Sequence, residues 1–115
     1  MACREKAPAW NAARSLVRYT GAARGWVRNY KYADARWVER EWTKLLHAPA
    51  HAWLTEWLSN AVLVPVPLHP LKHLLRGFNQ SETFSRLLLK TLSPANTEIN
   101  TQLLRRTRWT RQQAR

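Results

Sequence analysis

Lys72, Arg76, Gly77, Asn79 and Gln80 are the residues whose types and order best suit chemistry on an anion. Gly77 permits a backbone turn barred to other residues, and Asn79 is a good helix N-cap with Glu82 three positions on, the spacing of a capping box. Anions are favoured at such a helix start by free N–H groups and the helix dipole, and two nearby cations add charge-assisted contacts. The reading is a phosphate site; on spacing alone, a basic surface loop after a strand fits equally well. A second basic group, Arg105, Arg106, Arg108, Arg111 and Arg115, surrounds Trp109, with no acidic residue after Glu98. Arginines interleaved with an aromatic suit phosphate contacts and base stacking on single-stranded nucleic acid. His69 and His73, like His47 and His51, are spaced as helical metal pairs, but Pro70 and Pro49 interrupt the helices that would align them. Structural zinc takes Cys or His ligands in fours, and Cys3 is the sole cysteine, so no metal site is expected. His69 is expected to pack in a turn, and His47 and His51 to lie on the surface.

These residues need elements to position them. Residues 61–66 form a short apolar, β-branched run that reads as a strand buried on both faces. Pro65, Pro67 and Pro70 end it and predict a stiff extended exit. Phe84, Leu87, Leu88 and Thr91 then repeat at helical spacing, on a helix begun by Asn79 that packs on the sheet. Upstream, residues 14–19 have a strand pattern and 22–32 a helical one, through Ala23, Trp26, Val27 and Tyr30. Lys31 closes that helix, where a cation suits the C-terminal dipole. Asp34 can cap the next helix, whose stripe is Val38, Trp42, Leu45 and Leu46. After Pro49, residues 51–58 read as a further helix with Trp53, Leu54, Trp57 and Leu58 inward, and the tryptophans of 37–57 as core. A turn at 93–96 leads to a strand at 98–104. The predicted order is β-α-α-β-α-β, and a strand, crossover helix and strand imply parallel pairing in an α/β sheet. Residues 1–13 are Ala-rich and polar and read as a leader or remnant, with 14–115 as one domain.

Composition bounds the function. A formal net charge of +12 and a pI near 11.3 predict attraction to polyanions, nucleic acid first among them, although a solvated basic surface has the same composition. Apolar content of 45% argues against disorder throughout, and seven tryptophans are bulky surface to be buried or placed at an interface. A lone cysteine gives no disulfide framework, so a reduced cytoplasm is expected. No apolar run approaches the roughly 18 residues a membrane span needs, and no membrane partner is expected.

The segments Pro65-Val-Pro-Leu-His-Pro and Arg76-Gly-Phe-Asn-Gln80 resemble the signature of the ComF/GntX family, phosphoribosyltransferase-like proteins linked to DNA uptake and the use of DNA as a nutrient. Residues 3–10, Tyr19-Thr-Gly21 with Lys31-Tyr32, and 105–113 resemble the same family in the same order, so the likeness spans nearly the whole chain. It implies part of a type I phosphoribosyltransferase-like parallel sheet flanked by helices. It implies binding of phosphoribosyl pyrophosphate with Mg2+, and displacement at the anomeric carbon as pyrophosphate leaves. It implies that Lys72, Arg76, Gly77, Asn79 and Gln80 face the pyrophosphate, that Lys31 points to the substrate pocket, and that Arg105, Arg106, Arg108 and Arg111 face pyrophosphate or line a mobile loop. The chain departs from the family pattern in two places. Only Cys3 could be a remnant of the N-terminal zinc segment. The strand ending in two acidic residues, with the Thr-Thr-Gly-x-Thr type loop for the ribose 5-phosphate, is missing: Glu5, Asp34, Glu39, Glu41, Glu56, Glu82 and Glu98 include no adjacent pair. The expectation is the N-terminal part of such a domain, ending before the ribose-phosphate loop and inactive alone. The rivals are a small basic nucleic-acid-binding module and a gene fragment without function.

Overall fold

Apolar residues at helical spacing decide where the core forms. The computed structural model describes residues 9–32 and 36–110, with the side chains of residues 31, 32 and 36 outside that description. Helix α1 is Gly21–Tyr32 and α2 is Arg36–Leu46. Val38, Trp42 and Leu46 recur every four residues on α2, and all are buried, Val38 to 0% exposure. Val38 and Trp42 cluster with Tyr30 of α1, and Trp42 meets the rings of Trp26 and Phe84 edge to face at 5.6 and 5.2 Å. Leu46 joins a second cluster with Leu54, Leu58 and Leu88. Phe84 packs against both clusters, which makes the helix carrying it the centre of the fold.

That helix is α5, Gln80–Leu92, and it belongs to a crossover. A 3-10 turn at Pro49–His51 leads into α3, Trp53–Leu58, then β1, Val62–Leu63. Helix α4, Pro70–Arg76, and α5 come next, and β2, Glu98–Ile99, returns beside β1. The strands pair in parallel, Val62 opposite Glu98 and Leu63 opposite Ile99, as a chain returning through helices requires. The ladder extends slightly at each end: the Asn60 N–H donates to Ala95 O at 2.8 Å and the Asn100 N–H to Leu63 O at 2.9 Å. Among the described residues, helices and a two-stranded parallel sheet therefore coexist, the α/β character expected of the chain.

Several expectations need correction. Residues 14–19 form no strand: Leu16 and Val17 are adjacent, yet both pack inward from irregular backbone, one against each cluster, which the alternation of a strand forbids. The predicted 61–66 strand shrinks to a pair of residues, and Val62 is 48% exposed, because a sheet this narrow is not covered on both faces. The predicted 98–104 strand stops after Ile99. The Asn100 Oδ1 accepts from the N–H groups of Gln102 and Leu103, an Asx turn that withdraws them from any ladder. Trp42 is core, whereas Trp37 and Trp57 are 44% and 49% exposed, since each lies off the buried stripe of its helix. His51 is half-buried rather than on the surface, with Nδ1 enclosed. Asp34 lies outside the described residues. Among those residues, no helix is long and apolar enough to cross a membrane.

Tyr30 links α1 to α2 and carries a pH dependence. Its hydroxyl is directed at Glu39 Oε1, 3.5 Å away. Burial first, then the charge and hydrogen bond of Glu39, push its pKa from 10.0 up to about 12, against a smaller lowering by Thr83. A raised phenol pKa stabilises the fold while the phenol is neutral, so this contribution is complete below pH 10 and is lost as pH rises towards about 12. Tyr30→Phe should remove that alkaline decline, read by urea denaturation across the window. An identical decline in the variant would refute the assignment.

Candidate anion-binding site

Parallel pairing places the carboxyl ends of β1 and β2 at the same side, and both basic segments depart from there. In open α/β sheets ligands gather at that side. The segment after β1 was expected to continue extended into a loop; from Pro70 it is instead helix α4. The reason is local. Pro70 occupies the first turn, where its missing N–H costs nothing, and His69 is the N-cap, its Nδ1 accepting from the Leu71 N–H at 3.3 Å. Gly77 ends α4 in the left-handed region at φ 76°, its N–H donating to His73 O at 2.8 Å. Lys72 and Arg76 are thus presented by a capped helical turn.

Asn79 ties this turn to α5 as the N-cap that was expected. Its Oδ1 accepts from the Ser81 N–H at 3.1 Å, while its Nδ2 donates to Val66 O at 3.1 Å. One side chain therefore caps the central helix and pins the exit of β1. The expected capping box is incomplete: Glu82 turns along the helix to Arg86, at 2.7 Å. Gln80 occupies the first position of α5 and is half-buried.

The C-terminal basic segment folds back onto α4. Lys72 Nζ donates to Thr110 O at 2.8 Å and lies 5.1 Å from the centroid of the Trp109 ring, over its face. The His69 ring stands almost perpendicular to Trp109, 5.3 Å between centroids, and Arg106 donates to Thr110 Oγ1. Lys72 of the first basic group thereby meets Trp109 and Thr110 of the second, and Arg106 reaches the same Thr110. Arg106 is half-buried, as is Arg76, while Arg105 and Arg108 are exposed. Arg111 and the Lys31 side chain lie outside the described residues. Sequence reasoning missed the contact of His69 and Lys72 with Trp109. No local spacing could reveal it, because the partners are 37 to 40 positions apart.

Chemically, the arrangement offers cations for an anion, while the Asn79 amide and the Ser81 and Leu71 N–H groups are engaged within the protein. Among the described residues, no group of three or more His, Cys, Asp or Glu side chains is placed to hold a metal. No family model, curated protein or solved structure matches this chain.

Asn79→Ala removes both the cap and the tether to Val66. A lost cap alone costs about 1 kcal/mol, so chemical denaturation should show destabilisation of at least that order. Unchanged stability would mean that the Asn79 contacts do not anchor α5.

Proposed function

We propose that the chain carries the pyrophosphate half of a phosphoribosyltransferase-type site, as its resemblance to the ComF/GntX family implies. The observation that carries this reading is the meeting of α4 with the 105–110 segment at the carboxyl side of a parallel sheet, through Lys72, Trp109 and Thr110. Lys72, Arg76 and the arginines supply positive charge; Gly77, Asn79 and Gln80 form the turn into α5. In the transfer reaction, Lys72 and Arg76 would stabilise pyrophosphate as it leaves the anomeric carbon of phosphoribosyl pyrophosphate. These residues fit the phosphate end of that substrate. They do not fit the ribose end, for which the sequence has no adjacent acidic pair. Magnesium would arrive with the diphosphate, held mainly by phosphate oxygens. Binding without turnover is the proposed behaviour of these 115 residues by themselves.

A second reading has its own support. Trp109 is 50% exposed, beside exposed Arg105 and Arg108, a combination suited to stacking a base while neighbouring phosphates are neutralised. The chain would then be a single-stranded nucleic-acid-binding module, in keeping with the DNA-handling theme of the family it resembles.

Calorimetric titration with magnesium pyrophosphate separates the two. The first reading predicts one saturable site, weakened about tenfold or more in Arg76→Ala, the scale of a lost charge-assisted hydrogen bond. Absence of pyrophosphate binding, together with DNA binding that falls steeply with salt and ignores Arg76→Ala, would overturn it in favour of the second.

A further inference from the structure

The site brings like charges together. Lys72 and Arg106, from two basic segments, both donate to Thr110, and the sequence has no acidic residue between Glu56 and Glu82 or after Glu98. Two such segments repel, so their approach needs contacts that do not depend on charge neutralisation. The 105–110 segment has no regular secondary structure, since its ladder ended at β2. It is held on α4 by Trp109, which meets the Lys72 ammonium and, edge to face, the ring of His69, and by the Thr110 carbonyl. Both α4 residues are well placed to receive it, because His69 is the N-cap of that helix and Lys72 lies in its first turn.

We infer that Trp109 is a clasp: a positioning residue that holds the arginine segment against Lys72, so that a ligand with two linked phosphates is gripped from both sides. The inference rests on the pyrophosphate reading above. A lysine ammonium has three donor hydrogens. Here Nζ meets two neutral acceptors, the Thr110 carbonyl and the face of Trp109. A phosphate oxygen is a stronger acceptor than either, and the remaining donor can meet it without dismantling the clasp. The second phosphate then falls to the arginines that Trp109 brings alongside, and the anion relieves the repulsion between the segments. Trp109 touches no reacting atom in this scheme; it acts through Lys72 and through the chain on which it sits.

The test is magnesium pyrophosphate titration of the full chain and of Trp109→Leu, Trp109→Tyr, Lys72→Met and the Trp109→Leu/Lys72→Met double variant, with far-UV circular dichroism to verify the fold of each. Loss of the cation–π contact predicts that Trp109→Leu weakens binding about threefold, while Trp109→Tyr, which keeps an aromatic face, retains most of the affinity. In the Lys72→Met background, Trp109→Leu should have no further effect, because the clasp is already undone. Equal affinity of Trp109→Leu and wild type, or equal loss in both backgrounds, would overturn the clasp while leaving the pyrophosphate site standing. A wild-type chain that binds no pyrophosphate would overturn both. If Trp109→Leu impairs only single-stranded DNA binding, the ring is a stacking platform and the clasp is refuted.

Discussion

A parallel pair of strands obliges the chain to travel back along the sheet between them, and that constraint organises this molecule. Val62 and Leu63 pair with Glu98 and Ile99, and everything between them is crossover. Because the strands run the same way, the segments leaving β1 and β2 emerge on one side. In this sequence both of those segments are basic: α4 with Lys72 and Arg76, then residues 100–110 with their arginines. An antiparallel pairing would send the two segments to opposite ends and leave each as an isolated basic stretch.

The pair is short, and its stability is supplied by packing. Phe84 on α5 touches both hydrophobic clusters, and Leu63 of β1 rests against the second. Full burial of a side chain such as Val38 or Leu46 stabilises by roughly 1.5–3 kcal/mol, more than two strand residues could provide through their ladder. Asn79 couples core and site through its bonds to Ser81 and Val66, so the helix that fills the core also fixes where the chain leaves the sheet. The surface ion pairs Glu41–Lys44 and Glu82–Arg86 add little, as exposed pairs do.

Local patterns made the helices legible. The spacing of Val38, Trp42 and Leu46, and of Phe84, Leu87 and Leu88, identified two helices and their inward faces, and chain order implied the parallel crossover. The strands were over-read, because apolar runs such as 61–66 carry no information on whether a partner covers them. Prolines misled at Pro70, where the residue that breaks helix interiors also begins helices well. In the site, the Asn79 cap could be read from neighbouring residues, whereas the contact of Lys72 and His69 with Trp109 is tertiary and has no signature along the chain. Trp109 and Lys72 each stood out in its own basic run, but their pairing did not.

The central claim is that α4 and the 105–110 segment form one anion site. Pyrophosphate titration monitored by backbone amide chemical shifts in nuclear magnetic resonance addresses it most directly. The account predicts shifts in α4 and the turn to Asn79, and in residues 105–110, that saturate together with a single affinity. Shifts confined to one segment, or spread without saturation over every basic surface of the chain, would contradict it.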